Sequence, residues 1–385
     1  MQTQPTSPLP LDGVVVVDVS RMLPGAVLAR MLLDLGARLI KVEDPRTGDL
    51  MRYTPPLVDG VGVGFCVYMR GAESVALDLR APAGAAALRA LAAQADVLVE
   101  SFRPGTLERW GLGLEGLRAA NPRLITASLP GYADGDAVGH DLNFVALSGL
   151  LDRLQGEAIP AAQLADCTAG SLASSAILAA LLRRERAGVG GHITQPLAQG
   201  PLQFMTWAWA EQSVGGEAMT RRLLGGSIPS YRTYTCADGL DLAVGCLEPK
   251  FWITLCQAIE RPELAALGLD WGDAGVAAAA EAAARFAERP RAAWLADLAP
   301  LNLPVTAVHD VASAIAEPLF DASGLVEATP TPSGGSLRAP GPSLPSLGRT
   351  PATPAPALGQ HTREVLADVG LDPALIDAIK PAKEG

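Results

Sequence analysis

The sequence is poor in charged residues and in cysteine. Charged residues make up 18% of the 385 residues and hydrophobic residues 49%, a balance that fits neither a disordered nor a fibrous chain. The formal net charge of −11 argues against a protein that coats nucleic acid, because phosphate backbones need a clustered positive field. The cysteines form no CxxC pair, which fits a reducing compartment and predicts neither a disulfide framework nor a zinc site; they are Cys66, Cys167, Cys236, Cys246 and Cys256.

Targeting and membrane-spanning segments are not expected. The N-terminal stretch MQTQPTSPLPLDG has neither a basic start nor an apolar core, so it does not look like a signal peptide, and we expect a cytoplasmic location. The longest apolar run lies within SLASSAILAALL and is shorter than the roughly 20 residues that a membrane span requires. Membrane insertion is therefore not expected.

Several common cofactor and catalytic motifs are missing. After the strand-like VVVVDVS the chain continues as RMLPGAVLAR, without the GxGxxG that binds a dinucleotide. The sequence has neither a GxxxxGK[ST] phosphate loop nor a GxSxG nucleophile elbow. The histidines lack the spacing of metal ligands; they are His140, His192, His309 and His361. These absences disfavour NAD, FAD and P-loop nucleotide binding, α/β-hydrolase chemistry and a metal site.

The first part of the chain alternates between strand and helix patterns. GVVVVDVS is a continuous β-branched run typical of a strand buried on both faces, GAVLARMLLDLGA has helical periodicity, and RLIKVE is the next strand. The alternation continues through SVALDL, APAGAAALRALAAQA, DVLVESF, GTLERWGL and RLITASL. These repeated units predict an α/β fold with a parallel, doubly wound sheet. DCTAGSLASSAILAALLRRERAG then predicts a long helix that ends in basic residues and Gly188.

The pattern changes near residue 226 and indicates a second, smaller α+β domain. YRTYTC, the turn ADG and LDLAVGC predict a β-hairpin, and EPKFWITLCQAIE predicts a helix with Pro249 in its first turn. Alanine-rich helices follow, and then a Pro-rich stretch that predicts a surface connection. We expect a large domain at residues 1–200, a linker at 201–225, a small domain at 226–320, and a C-terminal part at 330–385 that completes the large domain.

Three polar residues occupy predicted turns of the kind where α/β sheets bind ligands: His140, Asp166 and Glu248. Each turn also has a purely structural interpretation. Asp141 is suited to cap the helix after His140, Asp166 is suited to the N-terminus of its own helix, and Glu248 is suited to a helix start. The residues alone leave both interpretations open.

The order and spacing of several segments resemble CoA-transferase family III, the CaiB/BaiF superfamily, along nearly the whole chain. The N-terminal segments are PLDGVVVVDVSRMLPG, LLDLGARLIKVEDPRTGD, SVALDLR, VLVESFRPGTLERWGLG and NPRLITASLPGY. GHDLNF, LADCTAG and AVGCLEPKFW resemble signatures of its α-methylacyl-CoA racemase branch. The resemblance implies a Rossmann-like large domain and an interlocked homodimer, with each active site between the large domain of one subunit and the small domain of the other.

The resemblance also implies roles for the three polar residues. His140 and Asp166 would be the acid/base groups that epimerise the α-carbon of a 2-methyl-branched or 2-aryl acyl-CoA through an enolate, and Glu248 would bind the histidine across the dimer. No metal or redox cofactor is implied. In the family's transferases the same aspartate instead forms an acyl anhydride and then a CoA thioester, so Asp166 fits either activity. A CoA-binding protein without activity is the third possibility.

The implied CoA contacts come from two strand ends and the histidine motif: Leu77, Asp78, Arg80, Phe102, Arg103, Arg109, Gly139, Asp141 and Asn143. Two departures from the family pattern affect the expected binding of the CoA phosphates. Asp44 stands where the family commonly has a basic residue, and Ala72 and Glu73 replace basic positions before the third strand. Either Arg70 and Arg80 compensate, or the acyl carrier differs.

Overall fold

Short apolar segments form a parallel sheet in this computed structural model, which describes residues 8–135, 137–154, 159–215, 219–322, 324–348, 350 and 352–379. Its strands are β1 (Val15–Asp18), β2 (Arg38–Glu43), β3 (Glu73–Ala76), β4 (Val97–Glu100), β5 (Ile125–Ser128) and β6 (Gly191–Thr194). They lie in the order β3-β2-β1-β4-β5-β6, and all neighbours are parallel. Val17 is paired with Ile40 on one side and Leu98 on the other. The predicted parallel α/β sheet is confirmed.

The strand order reverses between β1 and β4. From β1 the chain moves outward to β2 and β3, whereas from β4 it moves outward in the other direction to β5 and β6. This is the strand order of doubly wound, Rossmann-like sheets, in which the loops after the two central strands diverge and leave a crevice. Ligands of such sheets bind at this crevice, beyond the carboxyl ends of the strands.

Helices cover both faces of the sheet. The helices of the described residues are, in chain order and in both units, α1 (Met22–Asp34), α2 (Val63–Tyr68), α3 (Pro82–Gln94), α4 (Thr106–Arg109), α5 (Leu114–Ala120), α6 (Asp141–Leu147), α7 (Leu150–Arg153), α8 (Leu164–Ala187), α9 (Leu202–Ser213), α10 (Met219–Leu224), α11 (Pro249–Ala258), α12 (Asp273–Phe286), α13 (Arg291–Leu298), α14 (Val311–Ile315), α15 (Pro318–Ala322), α16 (Thr362–Asp368) and α17 (Pro373–Ala378). Successive residues of a strand face opposite sides. Val16 therefore joins one apolar core with α1 and α8, and Val17 joins another with α3 and α16.

The long helix predicted from the sequence is α8, which packs against α1. Gly170 permits the close contact, because an added Cβ would lie 2.6 Å from the Pro24 carbonyl oxygen and 2.9 Å from Cβ of Val27. The helix ends at Gly188, whose φ of +76° is left-handed. By length and composition alone α8 is long and apolar enough to cross a membrane, and 50% of its apolar stretch is buried inside the protein. Its contacts are those of a core helix.

Replacement by alanine at two helical glycines should have opposite effects on the stability of the protein. Gly170→Ala should destabilise the protein by about 1–3 kcal/mol, because the methyl group overlaps the backbone of α1. Gly116→Ala should stabilise it by about 0.5–1 kcal/mol, because an added Cβ in α5 has nothing within 4 Å. Urea unfolding curves of the two variants measure both changes. An equal response would contradict the close packing of α1 against α8.

A C-terminal segment covers the outer edge of β3. The His361 N–H donates to the Ser74 carbonyl oxygen at 2.9 Å, and Thr362 Oγ1 accepts from the Ala76 N–H at 3.0 Å. Val365 of α16 is buried in the same core as Val17. The segment therefore both satisfies the edge of the sheet and contributes to its core.

An antiparallel sheet forms the base of the second unit. Its strands are β7 (Tyr231–Thr235), β8 (Asp241–Gly245) and β9 (Val305–Ala307), in the order β9-β8-β7. β7 and β8 form the predicted hairpin, and Pro249 begins α11 as predicted. The core of this unit is aromatic and includes Trp252, Phe286 and Trp294.

The bounds of the two units differ in detail from the expected domains. The first unit contains Met1–Ser148, Pro160–Gln203 and Glu317–Gly385, and the second contains Gly149–Ile159 and Phe204–Ala316. The expected linker at 201–225 contains α9 and α10, and its residues 216–218 lie outside the described residues. The Pro-rich stretch, expected to be a surface connection, takes part in a hairpin of β10 (Val326–Pro330) and β11 (Ser336–Pro340). Pro330 is the last residue of β10 and Pro340 the last of β11, and a missing N–H is tolerated at strand ends.

Candidate active site

Two adjoining cavities lie at the carboxyl edge of the parallel sheet. The edge cavity has a volume of about 300 Å³ and is lined by residues that follow β1, β2, β3 and β4. It contains five of the expected CoA contacts, namely Leu77, Asp78, Arg80, Phe102 and Arg103. The histidine cavity has a volume of about 350 Å³ and contains six residues of the histidine and aspartate motifs, namely Gly139, His140, Asp141, Leu142, Phe144 and Asp166. The structure thus brings most of the expected site residues together in two places.

Arg21 and Arg103 line both cavities. Arg21 follows β1 and Arg103 follows β4, so they flank the crevice where the strand order reverses. The Arg21 backbone N–H donates to Ser101 Oγ at 2.9 Å, and its guanidinium carbon lies 5.2 Å from the ring centre of Phe102. Within the described part of the chain neither guanidinium has a carboxylate partner. An anionic ligand that spans the cavities would therefore meet two available cations.

Asp44, which departs from the family pattern, is paired with arginine side chains. Its carboxylate accepts from Arg46 Nη2 at 2.7 Å and from Arg80 Nη2 at 3.0 Å. Arg80 also donates from Nε to Asp78 at 2.9 Å. The acidic residue therefore holds two arginines beside the edge cavity while it neutralises part of their charge.

The other departures line neither cavity. Glu73 begins β3 at the opposite, amino edge of the sheet, beside the buried Ala72, and pairs with Arg38 at 2.9 Å. Arg70 is buried and lies 3.6 Å from a carboxylate oxygen of Asp34. The expectation that Arg70 compensates is wrong, because its guanidinium takes part in a buried ion pair.

Two expected CoA contacts also lie outside the cavities. Arg109 is exposed on α4 and donates to Thr106 Oγ1 at 2.9 Å. Asn143 Oδ1 accepts from the backbone N–H of His140 at 2.9 Å. The structure therefore gives Asn143 a role in starting α6 and places Arg109 on the surface nearby.

His140 directly precedes α6 and is exposed at the histidine cavity. Asp141 is the first residue of α6, and its Oδ1 accepts from the backbone N–H of Asp166 at 2.9 Å. The prediction that Asp141 caps its own helix is wrong, because a free N–H in the first turn of α8 offers a partner instead. This hydrogen bond ties the histidine motif to the start of α8.

Asp166 is the third residue of α8 and is only 8% exposed. Gln163 donates from Nε2 to its Oδ2 at 2.9 Å. Burial, and then the nearby Asp141 carboxylate, raise the pKa of Asp166 from 3.8 to about 6, although a helix N-terminus favours the anion. A carboxyl group with this pKa gains and loses its proton near neutral pH, as a general acid or base must.

Glu248 belongs to the second unit. It directly precedes α11, is exposed, and makes no capping hydrogen bond with its side chain. Its simple structural interpretation as a helix cap is therefore not supported by a contact.

One protein family matches nearly the whole chain. The match covers residues 11–362 and is to CoA-transferase family III. The chain belongs to this family. It is 33% identical over 387 residues to the α-methylacyl-CoA racemase of Homo sapiens, covering 94% of this chain and 93% of the relative. It is 31% identical over 381 residues to the succinyl-CoA:glutarate CoA-transferase of Mus musculus, covering 94% and 86%.

Solved structures agree with the sequence match. A CaiB/BaiF family protein from Brucella suis superposes with a TM-score of 0.79 at 30% identity, over 94% of this chain and 100% of that chain. CoA-transferase family III therefore supplies both the fold and an enzymatic background, which includes racemases and CoA-transferases.

Among the cavity residues of this family III protein that escaped prediction from the sequence are Arg21, Lys41 and Gln163. Arg21 directly follows VVVVDVS, and its place at the carboxyl end of a buried strand is the signal that could have found it. Lys41 lies within the apolar strand RLIKVE, where a buried lysine indicates an internal ion pair. No sequence pattern marks Gln163.

Proposed function

We propose that this protein is a racemase that inverts the α-carbon of 2-methyl-branched or 2-aryl acyl-CoA thioesters. The observation that carries the proposal is that His140 and Asp166 line one cavity, which adjoins a second cavity lined by the expected CoA contacts. Inversion requires two acid/base groups near one carbon. No metal or redox cofactor takes part in the proposed reaction.

The substrate would occupy both cavities. Its adenosine and phosphates would lie in the edge cavity, where Arg80 and Arg103 present guanidinium groups suited to phosphate oxygens. Because Asp44 and Asp78 already bind Arg80, more of the charge recognition would fall on Arg103. The thioester would then pass Arg21 and enter the histidine cavity.

The proposed chemistry moves one proton off and another onto the α-carbon. One group removes the α-proton, the thioester oxygen takes the enolate charge, and the second group protonates the opposite face. Both directions run well only if the two arrangements of the protons are close in free energy. The raised pKa of Asp166, about 6, supports this, because the carboxyl group then binds and releases its proton near neutral pH.

CoA transfer between carboxylic acids is the alternative, because Asp166 fits it too. There the carboxylate attacks the thioester carbonyl and CoA leaves as the thiolate. The thiolate then attacks the aspartyl carbonyl of the anhydride, which releases the first carboxylic acid and leaves an aspartyl-CoA thioester, and a second acid takes CoA through the reverse steps. Such a nucleophile must be unprotonated, which the raised pKa of Asp166 disfavours below about pH 6. Transfer also gives His140 no role, so its presence in the same cavity favours proton transfer.

The proposal includes an interlocked homodimer in which Glu248 binds His140 of the partner subunit and fixes the histidine tautomer. Glu248 is exposed in the chain. Helix α9 exposes three large aromatic side chains, which supports coverage by a partner; these are Phe204 (55%), Trp207 (67%) and Trp209 (54%). A cytoplasmic location and the lack of membrane insertion stay predictions.

Deuterium exchange separates the racemase from its alternatives. A single enantiomer of a 2-methyl-branched acyl-CoA is incubated with the protein in D2O and followed by NMR and chiral analysis. The proposal expects α-deuterium uptake together with loss of stereochemical purity. No exchange across a panel of branched acyl-CoAs, with CoA appearing on an added free acid, would establish transfer instead. If neither exchange nor CoA transfer is observed, the third possibility, a CoA-binding protein without activity, is supported.

Mixed dimers test whether two subunits share a site. His140→Ala and Glu248→Ala, each expressed alone, should be nearly inactive. Their co-expression should restore about a quarter of wild-type activity, because half of randomly formed dimers are mixed and one site of each mixed dimer keeps both residues. Light scattering on the wild type should show a dimer. A monomer, or no restoration, would contradict the shared site.

A further inference from the structure

The turn between β1 and α1 contains a backbone conformation that side chains rarely adopt. Met22 has a φ of +61°, and residues in this left-handed region persist only where their surroundings hold them. Met22 is the first residue of α1 and lines the histidine cavity. Its neighbour Arg21 lines both cavities. The strained residue therefore stands where the two cavities meet.

A buried ion network holds this turn. The Met22 N–H donates to Asp49 Oδ2 at 3.2 Å, and that oxygen lies 3.4 Å from Nζ of Lys41. Lys41 also donates to the Ser20 carbonyl oxygen at 2.7 Å and to Asp18 Oδ2 at 3.0 Å. Lys41 and Asp18 are 0% exposed and Asp49 is 3% exposed. The turn is thus tied to three almost fully buried charged side chains, of which Lys41 and Asp49 border the edge cavity.

Side chains accept hydrogen bonds from three successive N–H groups of the turn. Besides Met22, the Ser20 N–H donates to Asp18 Oδ1 at 2.8 Å and the Arg21 N–H donates to Ser101 Oγ at 2.9 Å. Burying a lysine with two carboxylates is a poor way to gain stability, because desolvation offsets most of the attraction. Because this ion network binds the backbone of the strained Met22 where the cavities meet, it indicates a functional role instead.

We propose that Asp49, held by Lys41, is a positioning residue for the reaction. By keeping Met22 in the left-handed conformation, Asp49 fixes the part of the histidine cavity against which the acyl thioester is seated. The α-carbon is thereby placed between His140 and Asp166. This inference rests on the proposed function, and Asp49 acts through Met22 rather than on the reacting atoms.

Two variants test the inference in different ways. Asp49→Asn removes the charge beside Lys41, and Met22→Gly removes the side chain while glycine adopts a positive φ freely. Both should lower kcat for inversion by about 10- to 100-fold while KM for the acyl-CoA changes by less than about threefold. A misplaced α-carbon still loses its proton but is reprotonated less often on the opposite face. The ratio of α-deuterium exchange to inversion should therefore rise, which a general loss of folded protein would not cause.

The control is a second residue with a positive φ that lies outside both cavities. Glu260 has a φ of +58°, and Glu260→Gly should leave both kcat and the exchange ratio unchanged. If Asp49→Asn does not fold, Met22→Gly decides. An active wild type whose Met22→Gly variant keeps kcat and the ratio would overturn this inference alone. A wild type that inverts no acyl-CoA would overturn the proposed function and this inference with it.

Discussion

Replacing His140 with alanine should lower the rate of racemisation by about 1,000-fold, because inversion then lacks one of its two acid/base groups. The histidine lies directly before α6, on the cavity that contains Asp166. The variant should still exchange the α-proton of one enantiomer in D2O, the one whose proton faces Asp166, but return it on the same face. NMR and chiral analysis of each pure enantiomer separate exchange from inversion.

The matched control is another exposed histidine. His309 lies in the second unit and lines neither cavity, so His309→Ala should keep the wild-type rate. If the protein transfers CoA, His140→Ala should leave transfer intact, because that mechanism needs only Asp166. Full racemase activity without His140 would contradict the proposed pair of bases.

Asp166→Asn should abolish inversion to a similar degree, about 1,000-fold, and make the protein more stable. The remaining exchange should now concern the other enantiomer, the one whose proton faces His140. Stability should rise at neutral pH because a buried carboxylate is replaced by a neutral side chain of the same shape. With the pKa raised from 3.8 to about 6, the gain is up to about 3 kcal/mol.

The pH dependence of this gain has a definite sign. Below about pH 4 the carboxyl group is protonated in both the folded and the unfolded protein, so its titration does not change the free energy of unfolding. Between about pH 4 and 6 the folded protein holds a proton that the unfolded chain has released, so wild-type stability falls as the pH rises, and it levels off above about 6. The stability advantage of Asp166→Asn should therefore be absent below about pH 4, rise between about pH 4 and 6, and level off above about 6. Urea unfolding at pH 4.5 and pH 8 measures it.

Asp273 offers the control for stability, because it also stands in the first turn of a helix but is exposed. Its carboxylate is stabilised by the helix N-terminus and escapes burial, so Asp273→Asn should cost about 0.5 kcal/mol at neutral pH. The two substitutions should therefore have opposite signs at pH 8. A destabilised Asp166→Asn would show that burial does not govern this carboxyl group.

Local sequence patterns predict the elements of this fold well, because burial on both faces selects β-branched runs such as VVVVDV. The partners of individual side chains are a different matter. Asp141 looks like a helix cap from its neighbours, yet its hydrogen-bond donor is the N–H of Asp166, 25 residues away. Arg70 looks available for a phosphate until the fold places it beside Asp34. Such choices are made by tertiary structure, which no single segment contains.

The hairpin of β10 and β11 shows the same limit in another form. Composition predicts only a surface connection there, since prolines are frequent, but the stretch forms strands in which Pro330 and Pro340 stand at the ends, where no N–H is required. The strain at Met22 is equally invisible in the sequence, because a methionine before a helix gives no sign of its φ. Both features depend on what surrounds the residue.

The covered edge of β3 has a consequence for how the protein is made. The Ser74 N–H of this strand donates a hydrogen bond to His361, a residue 287 positions later. The whole second unit lies between these two residues in the sequence. During synthesis the edge of β3 therefore stays open until the ribosome has passed the second unit, and open strand edges are sites of wrong pairing. The second unit should thus be complete while the first still waits for its final segment. A stretch of chain that emerges late closes a strand that emerged early.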